Sequence, residues 1–322
     1  MTMIRTIALA MLAWLLLDSA VAWANPQHFD QWLRGLRLEA TQRGIAAPVF
    51  DRAMEGVQPI PRVLELDRSQ PEFTMTFDQY IDRVVSATRI EQARQLYRQH
   101  RAMLEEVGNQ YGVPARLIVA LWGVESNFGQ RQGDYPVLAA LATLAYDGRR
   151  AKYFRTELIN ALRIVNEGHI DAPEMVGSWA GAMGQCQFMP SSYLKLAVDQ
   201  DGDGRRDIWR SLPDVFGSIA NYMQRVGWKA GELWGREVLL PANFNARKLL
   251  GSKRSVTAWG RLGLRRSDGG ELPSAELSAE LVQGGRSDRY FLVYGNFRTI
   301  LGWNSSRFFA LAVGLLSDRV DD

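Results

Sequence analysis

A single glutamate at the predicted end of an apolar helix is of a type and placement that could act as an acid. Glu125 follows the apolar run 121–124, and Asn127 and Gly129 come next as residues typical of helix ends. Apolar neighbours and the partial negative charge at a helix C-terminus both disfavour a carboxylate. Both effects would raise the pKa of Glu125 and suit it to general acid catalysis. A solvated glutamate at a helix end fits the same spacing.

A second segment, residues 178–193, combines small residues with amides and aromatic rings. It reads Ser-Trp-Ala-Gly-Ala-Met-Gly-Gln-Cys-Gln-Phe-Met-Pro-Ser-Ser-Tyr. Small residues let a backbone approach a ligand closely, while Ser178 and Gln187 offer hydrogen bonds to it. A glycine-rich turn that packs helices together would have a similar composition, so this segment alone leaves both interpretations open.

A third segment places carboxylates at alternate positions. Residues 199–207 read Asp-Gln-Asp-Gly-Asp-Gly-Arg-Arg-Asp, an arrangement that suits a hard divalent cation such as calcium. The EF-hand pattern has Gly at its sixth position, as Gly204 is here, and Glu at its twelfth, where this chain has Arg210. Asp214 lies four residues further on and could close a longer loop. The alternative interpretation is a solvated acidic turn.

The elements that must position these segments are mostly helices. Apolar residues recur at helical spacing in 25–52, 76–107, 114–124, 137–145, 150–167, 191–197, 213–226 and 302–316. Three prolines predict an irregular stretch at 57–71. Short strands are predicted at 237–240, 279–282 and 290–293, separated by Gly- and Ser-containing loops. The sum is a mainly helical chain with one small β insertion.

The first two segments together resemble a known family. Glu125 and Ser126 at a helix end, followed by Ala-Gly-Ala-Met-Gly-x-x-Gln-Phe-Met-Pro-Ser at 180–191, resemble the goose-type-lysozyme-related lytic transglycosylases. Within them the chain is most similar to the lytic murein transglycosylase B family, over residues 29–316. The resemblance implies a mainly α, lysozyme-like α+β fold, in which a helical domain wraps around a lysozyme-like core that carries the β insertion.

The domain limits expected from this resemblance and the composition are as follows. Residues 25–110 form the helical domain, and 111–236 form the lysozyme-like catalytic core with its EF-hand-like loop. Residues 237–289 form the β-rich insertion, and 290–322 return to the core and the helical domain.

The resemblance also implies roles for single residues. Glu125 matches the family's sole catalytic acid and base. Ser178 and Gln187 match polar residues that line the cleft, and Met183 matches a residue of the cleft wall. Ser126 completes the motif at the acid and is expected to bind substrate with them.

Aromatic positions are expected to shape the glycan groove. Tyr80 and Tyr222 match such positions, and Asn296 belongs to a late Asn-Phe pair beside the acid. The family often has Tyr where this chain has Trp303. That departure puts any role of the phenol oxygen in doubt, although a ring that can pack on a sugar is retained.

In the family's terms, the acidic segment is an elongated EF-hand-like loop. The side-chain candidates for a structural calcium ion are Asp199, Asp201, Asp203 and Asp214, with Arg205 offering a backbone carbonyl. A stabilising role is expected, because an ion that binds only the folded state raises stability. No organic cofactor is expected.

The implied reaction cleaves the β-1,4 bond between N-acetylmuramic acid and N-acetylglucosamine in peptidoglycan glycan strands. Glu125 protonates the glycosidic oxygen, the substrate's N-acetyl group assists, and the muramoyl C6 hydroxyl closes a 1,6-anhydro ring. Most glycosidases use two carboxylates instead. The alternatives are a hydrolytic muramidase of the same fold and a non-catalytic, calcium-stabilised glycan-binding protein.

The N-terminus predicts export. Arg5, an apolar run at 7–17 and the small-x-small pattern at 22–24 indicate a signal peptide at 1–24 and a periplasmic product without a membrane anchor. Cys186 is the only cysteine among 322 residues, so an internal disulfide is excluded, and it reads as a packed residue. The net charge of +3 is too weak for a dedicated nucleic-acid binder. It suits anionic peptidoglycan but equally fits random drift, and cell-wall synthase partners stay unknown.

Overall fold

The computed structural model describes residues 26–69 and 75–320, so the signal peptide predicted at 1–24 lies outside the described residues. The α-helices of this part are α1 Pro26–Gln42, α2 Ala47–Ala53, α3 Pro61–Ser69, α4 Phe77–Val84, α5 Ala87–Gln99, α6 Arg101–Tyr111, α7 Ala115–Ser126, α8 Val137–Asp147, α9 Ala151–Asn166, α10 Pro190–Leu196, α11 Leu212–Arg225, α12 Ala246–Leu249, α13 Val256–Arg261, α14 Gly295–Trp303 and α15 Arg307–Ser317. The strands are β1 Tyr135–Pro136, β2 Val176–Gly177, β3 Gly235–Leu239, β4 Lys253–Ser255, β5 Arg265–Arg266, β6 Ser278–Gln283 and β7 Tyr290–Val293. The predicted mainly α class is confirmed.

Two expectations about single elements were wrong. The stretch 57–71 contains α3, which begins at Pro61, because a proline is well suited to a first helical turn, where its missing N–H needs no partner. The closing helix predicted at 302–316 is two helices, α14 and α15. Ser306 caps the second of them by accepting a hydrogen bond from the backbone N–H of Phe309, so the chain turns between them.

Helix α7 lies at the centre of the main core. Its residues from Leu117 to Gly123 are all buried, and it packs against α5, α6, α11 and α15. A helix that is apolar around its whole circumference is stable only when other elements cover every face. Those neighbours therefore fix the axis of α7 and the position of its C-terminal end.

The β-rich part forms one antiparallel sheet of five strands in the order β4-β6-β7-β3-β5. It has a small core of its own, which includes Val238, Trp259 and Leu281. Strand β3 pairs with β7 across the register Gly235 to Val293, so the sheet reaches beyond the limits 237–289 expected for the insertion. Strand β7 leads through Tyr294 directly into α14, and the sheet is thereby tied to the main core.

Within residues 26–69 and 75–320, every helix is too short or too polar to cross a lipid bilayer.

Candidate active site

The turn that ends α7 holds Glu125 in place. Asn127 and Phe128 both have left-handed backbone conformations, with φ of 51° and 58°, and Gly129 follows with φ of 80°. The Ser126 hydroxyl donates to the Trp122 carbonyl and accepts from the Gly129 N–H at 3.0 Å. These bonds satisfy backbone groups at the helix end, which would otherwise lack partners. The predicted stop at Asn127 is confirmed, and Glu125 occupies the last full turn.

The segment predicted to face the acid forms a tight double turn. Met183 and Phe188 exchange backbone hydrogen bonds, and the Ser178 hydroxyl accepts from the Ala182 N–H at 3.0 Å. Gly184 is required here, because a Cβ atom at this position would lie 2.7 Å from the backbone oxygen of Ile208. Small residues therefore bring this backbone close to its neighbours.

Gln187 joins this turn to the loop after α7. Its backbone is left-handed at φ 50°, and its side-chain N–H₂ donates to the carbonyls of Gln132 and Gly184, both at 2.9 Å. The amide side chain is half-buried. The structure thus shows that Gln187 braces the loop, and its contact with substrate stays a prediction.

A second glutamine, Gln185, was not singled out from the sequence. Its side-chain oxygen accepts from the Trp122 indole N–H at 2.7 Å, and its N–H₂ donates to the Trp209 carbonyl at 2.9 Å. Since Trp122 belongs to α7 and Trp209 follows the acidic loop, this buried amide links the acid's helix to that loop. In the sequence, the one hint of this role was that Gln185 lies two positions before Gln187, which had been singled out.

Aromatic rings enclose one side of Glu125. The indole N–H of Trp303 donates to Glu125 Oε1 at 2.6 Å. The Trp303 ring lies 4.5 Å from the Tyr222 ring and 5.3 Å from the Phe188 ring, measured between centroids. The Tyr222 hydroxyl donates to the Gly302 carbonyl at 2.9 Å, which fixes the loop that carries Trp303. The residue that departs from the family pattern is therefore a hydrogen-bond partner of Glu125.

The negative charge of Glu125 helps to raise the pKa values of two neighbouring groups. Burial raises the pKa of the Tyr222 phenol, and the negative carboxylate of Glu125 raises it further. Burial also raises the pKa of the Cys186 thiol well above its usual value, with smaller contributions from Glu125 and Asp214. Cys186 is fully buried and donates to the Val215 carbonyl, so the thiol is a packed group, as predicted.

Tyr80 belongs to α4 and lies near Arg89, which contacts the turn after α7. Its ring is 5.9 Å from that of Phe308, and it sits close enough to Arg89 to affect that guanidinium. Arg89 donates to the side-chain oxygen of Asn127 at 3.1 Å and to the Val84 carbonyl at 2.8 Å. Burial and the nearby Arg131 lower the pKa of Arg89. Helix α4 and the turn after α7 are thereby joined.

The acidic loop gathers three carboxylates. Oxygen atoms of Asp199, Asp201 and Asp203 lie within 4.8 Å of one another, and all three side chains are exposed. Asp199 also accepts from the backbone N–H groups of Gly202 and Gly204, at 2.7 and 2.8 Å. The loop is thus folded around its first carboxylate, as a cation-binding loop must be.

The other two residues expected in this loop occupy different places. Arg205 is exposed, and its N–H donates to Asp203 at 2.8 Å. Asp214 is fully buried, and its two oxygens accept from the backbone N–H groups of Gln200 and Asp207. Desolvation raises the pKa of Asp214 to about 6, against the opposing effect of these hydrogen bonds. Asp214 therefore connects the two ends of the loop, at Gln200 and Asp207, through hydrogen bonds from the buried core.

The family model described as "Transglycosylase SLT domain" matches residues 28–318. This chain belongs to that family. The curated relative "Membrane-bound lytic murein transglycosylase B" of Escherichia coli K12 is 34% identical over 247 residues. The match covers 75% of this chain and 66% of that relative, so the chain spans just under two thirds of its length.

Solved structures agree with the family. SltB3 from Pseudomonas aeruginosa, in complex with NAG-anhNAM-pentapeptide, is 45% identical with a TM-score of 0.87 over 91% of this chain and 79% of that chain. The Escherichia coli lytic transglycosylase Slt35 in complex with calcium is 28% identical with a TM-score of 0.74. That match covers 92% of this chain and 93% of the other. The expected resemblance and the lysozyme-like fold are confirmed.

Three residues expected to bind substrate in this SLT-domain protein are buried instead. Ser126 and Met183 are fully buried, so each can support the groove from within but presents no surface to a ligand. Asn296 is also fully buried, and its amide is used by the backbone of Lys229 and Glu232. A satisfied, buried amide fixes the chain around it. Burial therefore favours a supporting role for these three residues, and their contact with substrate stays a prediction.

Proposed function

We propose that this protein is a periplasmic lytic transglycosylase that cleaves the β-1,4 bond between N-acetylmuramic acid and N-acetylglucosamine in peptidoglycan, with Glu125 as its acid and base. The observation that carries the proposal is the bond from Trp303 to Glu125, because it holds the carboxyl group in one orientation beside the turn 178–188. Catalytic groups held in one geometry need no reorganisation during the reaction.

The proposed reaction needs no water. Protonated Glu125 gives its proton to the glycosidic oxygen, and the bond from that oxygen to the muramoyl C1 breaks. The carbonyl oxygen of the substrate's acetamido group supports the positive charge at C1. The Glu125 carboxylate then takes the proton from the muramoyl C6 hydroxyl, whose oxygen bonds to C1. The product is a 1,6-anhydromuramoyl end, and the acid has recovered its proton.

Trp303 favours one of the two oxygens of Glu125 as the carrier of that proton. An indole N–H is a donor only, so Glu125 Oε1 acts as an acceptor in both protonation states. Because the carbonyl oxygen of a protonated carboxyl group is its better acceptor, this bond favours the proton of the acid form on Oε2. A tyrosine, which is frequent at this position in the family, could either donate or accept and would not make this choice.

The same site could run as a hydrolytic muramidase if water reached C1 before the C6 hydroxyl. The test is to digest purified sacculi with the wild-type protein and with Glu125→Gln and to weigh the products. Products with an anhydro end support the proposal, and products heavier by one water indicate hydrolysis. Undiminished anhydro products from Glu125→Gln would reject the assignment of the acid.

We also propose that the acidic loop holds a structural calcium ion. The three clustered carboxylates of Asp199, Asp201 and Asp203 supply hard oxygen ligands, and the carbonyl of Arg205 could add another. The fit is supported by Asp214, whose carboxylate is buried close enough to Asp201 for their charges to repel, so that a cation would relieve both. Calcium would supply no step of the reaction.

A further inference from the structure

The β-rich part of the chain carries an unusual concentration of positive charge. Residues 238–267 contain seven lysines and arginines and no aspartate or glutamate, although the whole chain has a net charge of only +3. The rest of the chain is therefore slightly acidic. Charge segregated in this way creates a local field that a balanced surface lacks.

Four of these cations form one exposed group, which we call the cationic edge. Arg247 and Lys248 lie on α12, and Lys253 and Arg254 lie on β4, the outermost strand on that side of the sheet. No ion pair engages these four side chains in residues 26–69 and 75–320. The acid opposite Lys253 in the strand register is Glu280, and its carboxylate lies 3.7 Å from Arg298.

The opposite side of the sheet is different. Arg265 and Arg266 lie on β5, the other outermost strand. Arg266 pairs with Asp268 at 2.6 Å, and Arg265 lies 3.9 Å from Glu271. Cations on the β5 edge therefore have a carboxylate oxygen within 4 Å, whereas those of the cationic edge have none among the described residues.

The cationic edge also leads toward the active site. A surface cleft of about 220 Å³ lies between Leu250 and Gly251, next to this edge, and Arg307 and Phe308 at the start of α15. The ring of Phe308 is 5.9 Å from that of Tyr80, which the family resemblance assigns to the glycan groove. If the glycan passes Tyr80 as that assignment implies, a strand continuing in this direction would reach the cleft and then the four cations.

We propose that the cationic edge is a second binding site for peptidoglycan, which holds the carboxylates of stem peptides on a strand whose glycan occupies the catalytic groove. The proposal rests on the function proposed above. The fit is one of charge: stem peptides carry free carboxylates at regular intervals along the strand, and four unneutralised cations attract them. Many weak contacts to one polymer add together, because each binding event keeps the next carboxylate close by.

Sacculus binding tests the proposal. All binding variants carry Glu125→Gln so that the sacculi are not digested, and they are compared in co-sedimentation at low salt. The variant R247Q/K248Q/K253Q/R254Q is expected to bind about tenfold more weakly, since each exposed ion pair contributes a factor of roughly two. The difference should vanish in 1 M salt, where screening is nearly complete.

The doubles K253Q/R254Q and R265Q/R266Q remove equal charge from the same sheet. The first should weaken binding several-fold, and the second should leave it within about twofold. Equal effects of the two doubles would overturn the proposal, because only total charge would then matter. Thermal melting of each variant separates a folding defect from a binding defect.

Two further measurements identify the ligand of the cationic edge. Sacculi whose carboxylates have been converted to neutral amides should bind the parent and the quadruple variant equally, and a persisting difference would overturn the proposal. A quadruple variant that binds sacculi normally but loses binding to anionic phospholipid vesicles would also overturn it, in favour of a membrane surface. If the four cations served only to prevent pairing between edge strands, the quadruple variant would aggregate while its binding to sacculi stayed unchanged. That result would also overturn the proposal.

Activity separates this proposal from the function of the main site. In a chain with Glu125 intact, the quadruple variant should raise KM on sacculi while leaving kcat, and turnover of short soluble glycopeptides, unchanged. If Glu125→Gln stayed active, the catalytic assignment would fail, and the binding comparison would then be repeated at low temperature over times too short for digestion, where the loss of binding by the quadruple variant still tests the cationic edge separately.

Discussion

The end of α7 and the acidic loop use the same functional group in opposite surroundings. Glu125 is half-buried among aromatic rings and receives an indole N–H, while Asp199, Asp201 and Asp203 are exposed and receive backbone N–H groups of their own loop. A carboxyl group in the first setting is suited to proton transfer. Clustered carboxylates in the second are suited to a cation. Their surroundings, and not the residue type, separate the two roles.

The largest expected effect is on catalysis, and it should be confined to the first site. Glu125→Gln keeps an oxygen for the Trp303 donor but removes the transferable proton, so kcat should fall at least about a thousandfold. Asp203→Asn should leave kcat within about twofold, since it changes no reacting group. Steady-state release of soluble fragments from sacculi measures both. A comparable loss of kcat in Asp203→Asn with calcium present would end the distinction between the sites.

The next effect is on stability, and it should be confined to the second site. Calcium at a hundred times its Kd should stabilise the chelated protein by about 2.7 kcal/mol. For a chain of this size, that raises Tm by about 5 °C. Differential scanning fluorimetry of the protein in chelator, with and without excess calcium, measures the shift. The double variant D199N/D203N is the control and should not respond. An unchanged Tm in the wild type would show that the loop is only a solvated acidic turn.

The smallest expected effect comes from removing the hydrogen-bond donor of Glu125, and it tests how the surroundings of this carboxyl group act on it. Trp303→Phe keeps an aromatic ring but removes the donor, and kcat should fall at least about tenfold, because a hydrogen bond to a charged group contributes roughly 1.5–3 kcal/mol. Losing a donor to the carboxylate makes the acid keep its proton to higher pH, so the alkaline limb of the pH–rate profile should move upward. The pKa values of the neighbouring Tyr222 and Cys186 are already raised.

Trp303→Tyr, which restores a donor, is the matched control and should recover most of kcat and the original profile. Equal damage in the two variants would mean that Trp303 acts only through packing.

The sequence was sufficient for the features that depend on local pattern. The end of α7 at Asn127 and three of the five strands of the sheet, β3, β6 and β7, follow from residue types at short range, whereas the short strands β4 and β5 were not predicted. Burial of polar residues did not follow. Asn296 and Ser126 look like surface groups in the sequence, and only the folded chain shows that backbone groups satisfy them within the core.

Contacts between residues far apart in the sequence were also not predicted. The sequence identified Trp303 as a departure from the family but not as the donor to Glu125, because the two residues are 178 positions apart. The link made by Gln185 between Trp122 and Trp209 was missed for the same reason. No spacing rule predicts which side chains meet across such distances, since that is decided by how the helices pack.

The distance along the chain between Glu125 and its donor has a consequence for when the protein can act. Trp303 closes α14, which follows the last strand of the sheet, so the donor is synthesised only after α7 and the whole sheet. A nascent chain that had already formed α7 would hold Glu125 without the indole that orients it. Under the proposed function, catalysis would therefore begin only once α14 had brought Trp303 to Glu125.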